Sequence, residues 1–149
     1  MATVSCTRRI QFCAGHRVVG HESKCAHLHG HNYVAFLHAE AEALDSIGRV
    51  IDFAVLKGTI GHWIEEEWDH GLVLYVADPV IDQIRALPVW ETGQQQKLFL
   101  LPTNPTAENM AAFLLETVGP EQLKGTGVRL RGVTLWETEN CYAEVNLVW

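Results

Sequence analysis

Hydrophobic positions recur along this chain with two periods, and they divide it into elements. Residues 3 to 13 are rich in Val, Thr, Ile and Phe and predict a β-strand. From Asn32 to Ala41 the odd positions Tyr33, Ala35, Leu37, Ala39 and Ala41 are mainly apolar, which predicts a second strand with one buried face. Residues 14 to 30, with Gly15, Gly20 and Gly30 among polar neighbours, predict the loop between them. Asp52 then precedes a helical stripe of Phe53, Leu56, Ile60 and Trp63 or Ile64, with Glu65, Glu66 and Glu67 near its far end. Asp52 suits the N-cap of that helix. Between 76 and 97 the pattern weakens and supports only a short helix near 79 to 87. In "LPTNPTAENMAAFLLETVG", either Asn104, with Pro105 at the first helical position, or Thr106 caps a helix that runs to about Val118 and closes near Gly119. Near the end, Val128 and Leu130 share one parity and Val133 and Leu135 the other, so Gly132 is expected in a bulge. Cys141, Ala143, Val145 and Leu147 alternate cleanly with polar neighbours. The order β-β-α-(α)-α-β-β, without internal repeats, predicts an α+β fold: an antiparallel sheet covered on one face.

Composition narrows the partners. At 149 residues and 48% hydrophobic content the chain is expected to form one domain with its own core. A formal charge of −7 with 11 Lys and Arg argues against a nucleic-acid partner. No signal-peptide pattern, lipidation motif or membrane-spanning apolar run is found, so no membrane partner is expected and the chain reads as cytoplasmic. Four cysteines, at 6, 13, 25 and 141, are too sparse for a disulfide scaffold and are expected as free thiols.

The chemistry concentrates in "KCAHLHGHNY", residues 24 to 33, and five of the eight histidines fall between positions 16 and 31. In an extended segment His29 and His31 point to one face with Cα atoms roughly 6.6 Å apart, so one metal ion can take both. His16, at the end of the preceding strand, is placed to supply a third imidazole across the hairpin, and three nitrogen ligands leave one coordination position open, as in a catalytic zinc site. His27 shares parity with His29 and His31 and stays open as a ligand in place of His16. A closed structural zinc on Cys25 and three histidines is the competing arrangement. His21, His38 and His62 read as ordinary. Asp69-His70, on spacing alone, reads as a helix-end turn with a surface histidine.

Several ordered segments together carry a resemblance: "FCAGH" at 12 to 16, Cys25 followed after three residues by "HGHNY", "IDFAVLK" at 51 to 57, Asp69-His70, "NPTAEN" at 104 to 109 and "WETENCYAEV" near the end. The chain resembles the 6-pyruvoyltetrahydropterin synthase family over nearly its whole length. That resemblance implies a tunnelling fold: a four-stranded antiparallel sheet with helices on one side, trimers whose sheets close into a barrel, and two trimers stacked into a homohexamer with active sites between subunits. The open edges of both terminal hairpins fit such closure independently. The short spacer between Cys25 and His29 resembles the 6-carboxy-5,6,7,8-tetrahydropterin synthases of queuosine and deazapurine biosynthesis. The implied reaction converts 7,8-dihydroneopterin triphosphate into 6-carboxytetrahydropterin with loss of triphosphate and acetaldehyde. The rival within the family retains the three-carbon side chain as 6-pyruvoyltetrahydropterin.

The same resemblance implies roles. Zn2+ on His16, His29 and His31 acts as a Lewis acid, Cys25 is the base, and Asp69 with His70 forms a second proton carrier across the substrate. Glu137, of one parity with Val133 and Leu135, falls where the family anchors the pterin, and its two oxygens match the two parallel donors of the pterin edge. Thr106 and Glu108 match secondary pterin contacts, although helix capping and a first-turn acid explain them as well. Arg8, Arg9, Arg17 and Lys24 gather near the N-terminus without forming an assignable phosphate clamp. Two departures from the family stand out: Gly71 follows Asp69-His70 where many relatives carry another polar or basic residue, and His27 is an additional imidazole.

Overall fold

Burial alternates strictly along β1 (Ser5–His16), with Phe12, Ala14 and His16 turned into the interior and Gln11 and Cys13 turned away. The computed structural model describes residues 2–88 and 90–148. β2 (His29–Ala41) pairs antiparallel with β1 and sets Phe12 opposite Tyr33, Ala14 opposite His31 and His16 opposite His29. β2 is flanked on its other side by β5 (Val128–Thr138), which pairs antiparallel with β6 (Cys141–Asn146). The parity change in β5 is a bulge as expected: Leu130 faces Ala39 and Gly132 faces His38, leaving Arg131 as the extra residue. A Cβ at Gly132 would collide with the Asn146 side-chain oxygen on β6, which accounts for glycine beside the bulge.

The sheet differs from the expected four-stranded antiparallel one. It has six strands in the order β4-β3-β1-β2-β5-β6, because β3 (Gly71–Tyr75) and β4 (Leu98–Leu101) add in parallel beyond β1. Both are short apolar runs without alternation, the signature of strands covered on both faces. Val73 packs into the main core, while Leu74, with Leu72, Leu98 and Leu100, packs against Ile81 and Ile84 of the short helix α3 (Ile81–Arg85). The helices therefore do not all lie on one face, although α3 itself falls where the sequence predicts a short helix.

The remaining helical segments share the main core. α1 (Phe53–Leu56) continues through a π-type stretch, Lys57–Gly61, into α2 (His62–Glu67). Asp52 caps it by accepting the Ala54 N–H at 2.8 Å. The second rod joins α4 (Ala107–Phe113), a π-type stretch Leu114–Val118 and α5 (Gly119–Gln122), so it runs past Gly119 instead of closing there; Pro120 sits in the first turn of the resumed helix, where its missing N–H is tolerated. Leu56, Ile60, Ile64 and Trp68 from the first rod meet Met110, Leu114 and Val118 from the second over Tyr33, Leu37 and Leu135 of the sheet. No described helix is long and apolar enough to cross a membrane.

One buried ion pair ties the end of β1 to the turn after β3. Asp78 is 3% exposed and receives Arg17 through two bonds, Nε to Oδ2 at 2.8 Å and a terminal nitrogen to Oδ1 at 2.5 Å. Arg17 is thereby engaged within the fold. Its hydrogen bonds hold the Asp78 carboxyl below the usual carboxylate range, against the opposing effect of burial. A carboxyl lowered on folding stabilises fully above its unfolded value of about 4, and that contribution is lost as pH falls through the lower folded value. Asp78→Asn is expected to lower unfolding free energy by about 2–3 kcal/mol in urea melts at neutral pH, and to flatten the acid limb of the stability profile.

Candidate active site and metal centre

The β1–β2 register brings three imidazoles to one end of the core face. His16, His29 and His31 have ring centroids 4.6, 5.1 and 4.9 Å apart in pairs, and their ligand atoms lie within 4.8 Å of one another. Backbone carbonyls decide which nitrogens face inward. His16 Nδ1 lies 2.6 Å from the Pro105 carbonyl, and His29 Nδ1 lies 2.6 Å from the His27 carbonyl. A carbonyl only accepts, so each Nδ1 carries the proton and donates it, and each Nε2 presents a lone pair. Burial, with the neighbouring imidazoles and against the Pro105 carbonyl, lowers His16 to about 4, and burial followed by His29 also lowers His31. Both shifts favour the neutral ring at His16 and His31 near pH 7.

Two such lone pairs, His16 Nε2 and His29 Nε2, stand 3.1 Å apart, and His31 Nε2 is buried without a hydrogen-bond partner among the described residues. Two inward lone pairs and a third, unpartnered ring nitrogen, converging within 4.8 Å, suit a divalent cation. Among the described residues Cys25 and His27 are not in this converging set. His27 contributes its carbonyl instead.

Beside the imidazoles opens a cleft of about 260 Å³ lined by His16, His21, Cys25, Thr106, Glu108 and Glu137. Cys25 stands on a single helical turn, Lys24–Ala26, tethered by the bond from Val18 N–H to the Cys25 carbonyl at 2.7 Å. Glu137 is turned toward the core face, its carboxylate 4.0 Å from His16 Nε2 and 3.8 Å from His31 Nε2. Burial and the charge of Glu108 raise its pKa, with His29 opposing them. Thr106 caps α4 through the Asn109 N–H at 3.1 Å and also lines the cleft, so both readings of this residue coexist. Asn104 does not cap; its amide holds the Val19 backbone at 2.9 and 3.0 Å, fixing the loop that leads to Cys25.

Two neighbours of the cleft escaped the sequence reading. His21, taken as ordinary, lines it, and its Nδ1 accepts the Ser23 N–H at 2.9 Å. Its place four residues before Cys25 was the available signal. Tyr33 packs edge-on to His16 and His31, and its buried hydroxyl has no partner among the described residues. As an alternating apolar position it looked purely structural.

Asp69 and His70 do not line this cleft. They are mounted on the backbone of Cys13, whose side chain points away from the core face: Cys13 N–H donates to Asp69 Oδ1 at 2.9 Å and His70 N–H donates to the Cys13 carbonyl at 2.7 Å. Asp69 Oδ2 accepts from His70 Nδ1 at 2.8 Å, leaving the other ring nitrogen of an imidazole 76% exposed. Burial works against the Asp69 charge, but the Cys13 N–H, His70 and the charge of Lys97 outweigh it and lower its pKa. A single protomer thus separates this pair from Cys25.

A small cleft with an acid, a thiol and a cation-ready donor set suits chemistry on a small polar molecule, and the class so defined is a small-molecule enzyme. Residues 5–147 match the family described as 6-pyruvoyl tetrahydropterin synthase, and the chain belongs to that family. It is 39% identical over 142 residues to the 6-carboxy-5,6,7,8-tetrahydropterin synthase of Rickettsia bellii, covering 95% of this chain and 99% of that one. To the protein of the same name from Rickettsia felis it is 40% identical over 148 residues, with the same coverage of 95% and 99%. A catalytic-residue mutant of the Plasmodium vivax 6-pyruvoyltetrahydropterin synthase superposes with a TM-score of 0.71 over 99% of this chain and 100% of that one, at 20% identity, a likeness of fold alone.

The donor geometry predicts one tightly bound divalent ion per chain. Equilibrium dialysis against zinc followed by elemental analysis should show His16→Ala, His29→Ala and His31→Ala each depleted of metal, with Cys25→Ala as fully loaded as the parent.

Proposed function

We propose that this protein is a zinc-dependent 6-carboxy-5,6,7,8-tetrahydropterin synthase that converts 7,8-dihydroneopterin triphosphate to 6-carboxytetrahydropterin, releasing acetaldehyde and triphosphate, in queuosine and 7-deazapurine biosynthesis. The observation that carries this reading is one cleft holding Cys25, Glu137, Thr106 and Glu108 beside His16 of the three-imidazole set, in a chain about 40% identical to relatives of that name. A zinc ion bound by His16, His29 and His31 would supply a Lewis acid that acidifies the side-chain hydroxyls of the substrate. Glu137 receives the ring N–H and exocyclic amine of the pterin through its two oxygens, and this bidentate pairing offsets the burial that raises its pKa. Thr106 and Glu108 bound the same pterin subsite. Cys25, as thiolate, takes a proton from the substrate side chain.

Asp69 and His70 serve as the second proton carrier, delivered by a neighbouring protomer. Asp69, kept ionised, holds the His70 Nδ1 proton, so the exposed ring nitrogen is free to accept or give a proton. The sheet edges support such an assembly. β1 pairs with β3 only over Ala14–His16, so the earlier part of that edge meets no described strand, and β6 ends the other side of the sheet. Closing these edges between copies gives a barrel, and stacked trimers give a homohexamer, placed in the cytoplasm.

Incubation with dihydroneopterin triphosphate should yield 6-carboxytetrahydropterin and acetaldehyde by mass spectrometry. A product that keeps its three-carbon side chain would assign the pyruvoyl activity instead. Cys25→Ala and His70→Ala should each lower turnover by about 10²–10⁴-fold. If sites form between subunits, mixing and reassembling the two inactive variants should restore turnover; mixtures as inactive as their parents would place both residues within one protomer.

A further inference from the structure

Lys97, immediately before β4, lies outside the cleft and outside the segments that carry the resemblance, yet its side chain reaches the root of the Asp69-His70 turn. Its Nζ donates to the Glu65 carbonyl at 2.7 Å and to the Asp69 carbonyl at 2.7 Å. The turn needs this support. α2 ends at Glu67, and the Trp68 and Asp69 N–H groups both go to the Ile64 carbonyl, so no N–H reaches the Glu65 carbonyl by the regular helical pattern. His70 then adopts φ +60, the only left-handed non-glycine residue among those described. An ammonium group across these two carbonyls satisfies the orphaned acceptors and opposes the negative end of the helix.

Gly71 makes the reach possible. A Cβ there would come within 3.0 and 3.2 Å of Lys97 Cγ and Cδ and within 3.3 Å of the Trp68 carbonyl. A side chain at 71 would therefore press on the lysine stem. The absence of a side chain at Gly71 thus goes together with the placement of Lys97.

We infer that Lys97 is a positioning residue for the Asp69-His70 proton carrier: it locks the left-handed turn so that Asp69 meets His70 Nδ1 and the free ring nitrogen points outward. This inference rests on the reading of Asp69-His70 as a proton carrier. From one side the pair is held by the Cys13 backbone, from the other by Lys97.

The test uses Lys97→Met in the full-length assembled protein, a change that keeps the stem and deletes the donor. Turnover of dihydroneopterin triphosphate should fall about 10- to 100-fold with KM unchanged, because the substrate contacts are intact and only the carrier is displaced. In protein labelled with ¹⁵N-histidine, the His70 Nδ1 resonance, assigned by its loss in His70→Ala, should move away from its carboxylate-bound position. Lys97→Arg should recover part of both, since a guanidinium still reaches two carbonyls. Gly71→Ala, which leaves the charge in place but crowds the stem, should reproduce the loss. Parent-level turnover together with an unmoved His70 resonance in Lys97→Met would overturn the inference. If His70→Ala itself turns over like the parent, the proton-carrier reading fails, and the resonance in Lys97→Met alone decides whether Lys97 holds the turn.

Discussion

The site depends on a simple asymmetry: a backbone carbonyl accepts hydrogen bonds and never donates one. Pro105 and His27 offer carbonyls to the outer nitrogens of His16 and His29, which fixes the proton there and turns the lone pairs inward. The β1–β2 register places the two rings side by side, and His31 joins them two residues further along the same face. Burial favours neutral rings at His16 and His31, and the three sets of ring nitrogens crowd within 4.8 Å of one another. A divalent cation would relieve that crowding.

Strand periodicity explains how one strand positions two groups of candidate residues. Residues 13 and 16 of β1 have opposite parity, so His16 enters the core face while Cys13 points away from it. The backbone of Cys13 then carries Asp69 and His70. A displacement of β1 would move both the imidazole cluster and this pair. Arg17, one residue beyond His16, anchors the end of the strand to buried Asp78 and thereby limits that displacement.

Much of this was legible in the residue pattern because alternation reports a single buried face. The odd positions from Tyr33 to Ala39 are buried as their spacing indicates, and the bulge beside Gly132 follows from the parity change in β5. The convergence of His16, His29 and His31 was also legible, since two-residue spacing and a hairpin suffice to bring them together. β3 and β4 were not, because strands covered on both faces show no alternation and read as short apolar runs with no assignable partner. The run of the second helical rod past Gly119 was hidden by a glycine-proline pair that usually signals an ending. The distance between Asp69-His70 and Cys25 depends on tertiary placement, Tyr33 carries no pattern that separates a cleft residue from a core one, and His21 offered only its place four residues before Cys25.

Zinc K-edge absorption spectroscopy of the zinc-loaded protein tests the central claim most directly, because sulfur and nitrogen scatterers differ in both distance and phase. The account predicts a first shell of nitrogen and oxygen at about 2.0–2.1 Å that includes the multiple-scattering pattern of three imidazoles and contains no sulfur. A zinc–sulfur distance of about 2.3 Å would put Cys25 on the metal, close the open side of the cation and contradict the account.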